Sequence, residues 1–151
     1  MRTLESWFAE YGESHQHPTN QKIHHVCVPV IFFSILALYR AIPRMEWMAC
    51  APAQILNWAT LALILPLVFY LLLDWRYFSV MVAQIVLMLV GVEWLARLGL
   101  LLPVGGLLFV LAWLGQFYGH RIEGRKPSFF RDLAFLLIGP LWVCRSWLKF
   151  L

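Results

Sequence analysis

From residue 26 to 38, from 52 to 73 and from 100 to 118 the chain carries no charged side chain, and from 78 to 95 it carries one, Glu93. A soluble domain of 151 residues keeps too much of its surface in water to hide four such stretches in a core. Composition points the same way. The chain is 62% hydrophobic and 13% charged, whereas soluble domains are about 45–50% apolar and about 25% charged. Roughly 20 helical residues cross about 30 Å of hydrocarbon. The expected fold is therefore all-α: one domain over 1–151, a polytopic membrane helix bundle with about four transmembrane helices.

The spans are expected over 21–39, 52–73, 78–95 and from 100 or 103 to 118. His17-Pro18-Thr19-Asn20 breaks the chain before the first, with Thr19 or Asn20 as its N-cap. Pro66 falls inside the second, where a membrane helix tolerates it. Asp74-Trp75-Arg76 makes a tight polar turn, and Glu93 and Arg97 are spaced to pair near the end of the third span. Residues 3–15 read as an amphipathic helix with Leu4, Trp7, Phe8 and Tyr11 at helical spacing. It either lies in the membrane interface with its aromatic face in lipid or caps the bundle. A last apolar stretch, 129–151, is interrupted by Arg131, Asp132, Gly139-Pro140 and Arg145. It is expected to be interfacial or re-entrant, with a fifth span as the alternative. The first thirteen residues lack the basic and apolar regions of a signal peptide.

Four spans sort the loops between two sides. One side receives Arg2, Lys22, Arg76, Arg121, Arg125, Lys126 and Arg131; the other receives Arg40, Arg44 and Arg97. The basic excess marks the first side as cytoplasmic. The net charge of +4 fits headgroup contact. Nucleic-acid binding, which needs a basic groove with stacking aromatics, is not expected. Three cysteines without a CxxC give no disulfide framework, and Cys27 and Cys144 are expected to pack as small apolar groups.

All five histidines fall in two short stretches: His15, His17, His24 and His25 in one, His120 in the other. The topology brings both to the cytoplasmic side. Asn20 and His24 share a helix face. So do Gln116, His120 and Glu123 if the helix continues past Gly119, and His15 can reach in from the N-terminal helix. Two or three imidazoles with one carboxylate suit a divalent transition metal, and two histidines plus a carboxylate form the usual non-haem Fe(II) face. The plainer readings are capping or anchoring for His17 and His25, and a solvated salt bridge for Glu123 beside Arg121, Arg125 and Lys126. Gly115 and Gly119 form a GxxxG that lets a neighbouring helix approach closely.

At these residues the sequence resembles a family of small membrane dioxygenases that degrade 2-hydroxy fatty acids in phytosphingosine breakdown. The resemblance rests on Tyr11-xxx-His15-xx-Pro18-x-Asn20-xxx-His24-xxxx-Pro29 and on Gln116-Phe117-x-Gly119-His120-xx-Glu123-Gly124-Arg125-x-Pro127, and it extends over nearly the whole chain. It implies an Fe(II) enzyme with His15, His24 and His120 on the metal. Glu123 matches the family's acidic position and is expected as a fourth ligand. The implied reaction takes a 2-hydroxy fatty acid and O2 to CO2, water and the acid one carbon shorter. Asn20, Gln116, Arg121, Arg125 and Lys126 are the expected substrate contacts, with the acyl tail along Trp113 and Phe117. The implied location is a bacterial inner membrane or the endoplasmic reticulum.

Three rivals remain at this point. Di-iron desaturases and hydroxylases use roughly eight histidines, and this chain has five. A non-enzymatic scaffold or lipid-headgroup-binding protein would use the polar end as a headgroup patch. Haem ligation by His24 and His120 would show as an absorbance band.

Overall fold

The computed structural model describes residues 3–127 and 134–147. Arg2, Phe129, Arg131, Asp132 and residues 148–151, which figured in the expectations above, lie outside these. The described chain is helical: α1 Leu4–Gly12, α2 Pro18–Ala41, α3 Trp58–Ala62, α4 Ile64–Leu73, α5 Trp75–Arg97, α6 Leu101–Glu123 and α7 Phe135–Trp147, with a 3-10 turn at Glu46–Cys50. Among the described residues α2, α5 and α6 are long and apolar enough to cross a membrane. At 1.5 Å per residue each is about 35 Å long, sufficient for the hydrocarbon layer.

The span expected over 52–73 is realised as the shorter pair α3 and α4, whose 16 residues from Trp58 to Leu73 reach about 24 Å. Its start is set by Asn57, whose side chain accepts from Ala59 N and Thr60 N while Thr60 Oγ1 accepts from Asn57 N, a reciprocal capping box. The break after Ala62 is explained by Pro66, which has no N–H for the carbonyl four residues back and whose ring crowds it. The other turns are tight. Asp74 alone separates α4 from α5 and caps the latter through Arg76 N at 2.7 Å. Gly99 and Gly124, at φ of 70° and 71°, follow the ends of α5 and α6 in the left-handed conformation that glycine adopts without Cβ strain.

The chain forms two compact units, 32–109 and the remainder. In the 32–109 unit the core is Leu36, Ala37, Ala59, Leu63, Ile85 and Val92. Arg40 and Glu93 pair across it at 2.6 Å. The Glu93–Arg97 pair expected from the i, i+4 spacing is thus replaced by one between helices, with Arg97 exposed.

In the other unit, α1 packs on α7. Trp7, Phe8 and Tyr11 are buried, with Trp7 edge-on to Phe135 at 5.1 Å and Tyr11 5.5 Å from Trp142. The aromatic face of the N-terminal helix is covered by protein and not by lipid, because α7 supplies an apolar surface: Phe135, Ile138, Leu141, Val143 and Cys144 are all buried. The expected interfacial or re-entrant segment is thus, over its described part, a packed helix of 13 residues. The N-terminal half of α2 lies against the C-terminal half of α6. A Cβ added at Gly115 would sit 2.7 Å from Cys27 Sγ, and one at Gly119 would run into Asn20 Oδ1. The GxxxG face acts as expected.

Candidate metal centre

The close crossing of α2 and α6 sets the depth at which their histidines meet. His24 lies one turn after Asn20 on α2, and His120 follows Gly119 on α6, which does continue to Glu123. The loop between α1 and α2 adds His15. The helix begins at Pro18, and its cap is His17 in place of the expected Thr19 or Asn20. The His17 carbonyl accepts from Gln21 N, and its Nδ1 accepts from Thr19 N at 3.1 Å. A proline at the first helical position loses no hydrogen bond, since that N–H has no partner in a helix.

His15, His24 and His120 are 1%, 2% and 5% exposed. Their rings meet edge to face, with centroids 4.3 Å apart for His15–His24, 5.0 Å for His15–His120 and 4.8 Å for His24–His120. One ligand nitrogen from each lies within 4.8 Å of the others. Two nitrogens on one ion, each about 2.1 Å from it, are at most about 4.2 Å apart, so small side-chain rotations close the set.

The hydrogen bonds orient the rings for this. His15 Nδ1 donates to Tyr11 O at 2.6 Å, and His24 Nδ1 donates to Asn20 O at 3.0 Å. A carbonyl only accepts, so each Nδ1 carries the hydrogen and each Nε2 presents a bare lone pair. His15 Nε2 and His120 Nδ1 are buried without any partner. An unpartnered buried acceptor costs about 1–3 kcal/mol, and a cation removes that cost from both at once. Burial is the main cause that lowers the His15 pKa to about 4, offset in part by the Tyr11 carbonyl. The ring is thus neutral, as a ligand must be, near pH 7. Three neutral imidazoles suit Fe, Zn, Cu or Ni, and three protein ligands leave positions open for a substrate.

Glu123 is placed differently from the histidines. Its Oε1 accepts from Gln16 N at 2.8 Å, and its Oε2 accepts from His17 N at 2.8 Å and Asn20 Nδ2 at 3.1 Å. Asn20 is fully buried and also donates to Ser14 O. Gln116 is buried one turn before His120. Arg121, Arg125 and Lys126 are exposed, with Arg125 donating to Glu13 O at 2.7 Å. His25 bonds Gln21 O and lies 5.6 Å from Trp142. Two further residues shape the site. Tyr11 stacks on His15 at 4.1 Å and 13°, and Trp142 lies 5.5 Å from the same ring. Tyr11 stands four residues before His15, a spacing that signals ring-to-carbonyl contact on a helix; Trp142 has no such signal.

A family model described as 2-hydroxy-palmitic acid dioxygenase Mpo1-like matches residues 1–151. No curated protein matches the chain, and no solved structure does. With the match extending over its whole length, the chain belongs to the Mpo1-like family.

Proposed function

We propose that this Mpo1-like protein is an Fe(II)-dependent membrane dioxygenase that converts a 2-hydroxy fatty acid and O2 into CO2, water and the fatty acid one carbon shorter. The balance closes without a reductant, because cleavage of the C1–C2 bond draws all four electrons for O2 from the substrate. The convergence of three buried imidazoles, with one ligand nitrogen of each within 4.8 Å of the others, supports the reading most directly. The family description supplies the substrate class.

His15, His24 and His120 would hold the iron, which when bound supplies O2 activation and a Lewis-acidic grip on the substrate. The Tyr11 and Asn20 carbonyls fix the ring tautomers that face it. Arg121, Arg125 and Lys126 offer positive charge to the substrate carboxylate through charge-assisted hydrogen bonds. Gln116 and Asn20 line the approach, and the tail runs along Trp113 and Phe117, whose rings lie 5.5 Å apart at a tilt of 32°. The basic excess near these segments favours the cytoplasmic face of a bacterial inner membrane or the endoplasmic reticulum.

The test is metal content by mass spectrometry after anaerobic loading with Fe(II) and desalting, with His120→Ala beside the wild type. About one iron per chain is expected in the wild type and none in the variant. Loaded wild type should then shorten 2-hydroxypalmitic acid by one carbon. Absence of retained iron in the wild type refutes the reading.

A further inference from the structure

Glu123 ends α6, where the helix dipole disfavours a negative charge. Its placement therefore asks for a reason. The residue also stands one turn after His120, so a carboxylate that turned toward the histidines would complete a His-and-carboxylate ligand set. Its two oxygens are instead taken up by Gln16 N, His17 N and Asn20 Nδ2 at 2.8, 2.8 and 3.1 Å. Gln16 and His17 immediately precede the first residue of α2. The carboxylate thus sits at the N-terminus of another helix, where N–H groups lack helical partners and negative charge is favoured. The three hydrogen bonds are charge-assisted, about twice as strong as neutral ones.

These donors are distributed in a particular way over the histidine-bearing segments. Gln16 follows His15 directly. Asn20 is the residue whose carbonyl accepts from His24 Nδ1. Glu123 itself is anchored on the turn of α6 that carries His120. One carboxylate therefore ties together the backbone segments behind all three histidines. The loop from Glu13 to His17 has further fastenings on its own side: Gln21 Nε2 donates to His15 O at 2.8 Å and His15 N donates to Gly12 O. The loop is joined to the end of α6 by the Glu123 bonds to Gln16 N and His17 N and by Arg125 donating to Glu13 O.

We infer that Glu123 is a positioning residue that clamps the His15 loop and Asn20 to the end of α6, and that it holds the three-histidine set in register from outside the metal's ligand shell. The inference rests on the metal-centre reading above for its consequence and on hydrogen-bond geometry alone for its mechanism. It makes the ligand set three neutral histidines, with the acidic residue supplying order and not a metal bond.

Two measurements test it, one of which needs no metal. The first is amide hydrogen exchange of Gln16 and His17 in the metal-free, full-length protein in detergent micelles, for wild type, Glu123→Gln and Glu123→Ala. Exchange at these two amides is expected to rise at least about tenfold in Glu123→Ala and by less in Glu123→Gln, which keeps one acceptor oxygen, while amides within α5 stay unchanged. The second is titration with Co(II) as an optical probe. Glu123→Gln is expected to bind about 10–100-fold more weakly with the wild-type ligand-field spectrum, whereas His15→Ala alters the spectrum or abolishes binding. Unchanged exchange at Gln16 and His17 in Glu123→Ala overturns the clamp. So does a Co(II) spectrum that shifts in Glu123→Gln as it does in His15→Ala, which would make Glu123 a ligand. If wild type binds no metal, the dioxygenase reading fails, and the exchange result still decides the clamp.

Discussion

Gly119→Ala is the sharpest single test of how the site is assembled. A Cβ at Gly119 would collide with Asn20 Oδ1, and would lie 3.4 Å from Asn20 Cγ and 3.5 Å from Ile23 Cδ1. The outcome divides into two branches. If Asn20 stays, the overpacking costs about 1–3 kcal/mol. If Asn20 swings away, it gives up its bonds to Ser14 O and to the Glu123 carboxylate, about 1 kcal/mol for the neutral one and about 2 kcal/mol for the charged one. Alanine in a helix interior returns up to about 1 kcal/mol relative to glycine. The net destabilisation is therefore about 1 kcal/mol on the first branch and about 2 kcal/mol on the second. A control lies on the same helix: a Cβ at Gly106 meets nothing within 4 Å, so Gly106→Ala should show only the helical gain. Equilibrium unfolding in detergent should separate the two variants by about 2–3 kcal/mol, with iron retention weakened only in Gly119→Ala. If the two variants unfold alike and both retain iron, the close approach of α2 to α6 is not what sets the site.

Three further outcomes can be checked independently. A Cβ at Gly115 would sit 2.7 Å from Cys27 Sγ, so Gly115→Ala should cost about 1 kcal/mol. Adding Cys27→Ala should recover part of it, and strict additivity in that double-mutant cycle would count against the contact. In the metal-free protein His15 should titrate near pH 4 instead of 6.5, followed by its ring resonances. Between those values the unfolded chain holds a proton that the folded one does not, so this group makes stability fall as pH drops through the window, by up to about 1.4 kcal/mol per unit, and contributes no slope above it. A midpoint at the ordinary value would contradict the burial. Finally, Arg40→Gln should cost about 2–3 kcal/mol by stranding Glu93, and Arg40→Gln with Glu93→Gln should cost less than Arg40→Gln alone, both with iron content unchanged. Equal or greater loss in the double variant would show that the pair does not matter as a pair.

What the sequence reveals here depends on how local each feature is. The Asn20–His24 and Gln116–His120–Glu123 faces follow from helix periodicity, and the GxxxG at Gly115 and Gly119 announces a close crossing, so the meeting of α2 and α6 is legible. The ends of α3 were open to inspection too: Asn57 and Thr60 are a capping box and Pro66 marks a break four residues upstream. Hydropathy over 52–73 masks both, because a window average does not register a cap. Which partner a charge selects was not legible. Glu93 has Arg97 one turn away, yet it bonds Arg40, 53 residues distant, because tertiary packing brings that guanidinium to the less exposed side. Likewise the aromatic stripe Trp7–Phe8–Tyr11 has the same pattern whether lipid or protein covers it. Only the location of α7, with Phe135 and Trp142, decides.

The distribution of unsatisfied groups links the architecture to the chemistry. His15 Nε2, Asn20 Oδ1 and His120 Nδ1 are all buried and unpartnered within one small region, each at a cost of about 1–3 kcal/mol. A chain free to relax would rotate these side chains toward donors. It is prevented at each position by something already bonded or packed. Tyr11 stacks on His15 and takes its Nδ1 hydrogen, Asn20 has both a carbonyl and the Glu123 carboxylate on its amide, and Gly119 lets α2 come so close that Asn20 Oδ1 faces backbone. The polar strain is held in place by bonds that point away from the histidine cluster, which leaves the cluster itself with lone pairs and no protons to share among them. A cation relieves that arrangement at His15 and His120 and leaves Asn20 untouched. The asymmetry argues that the imidazoles are oriented for a metal, while the amide is strained only as a by-product of the helix approach that positions them.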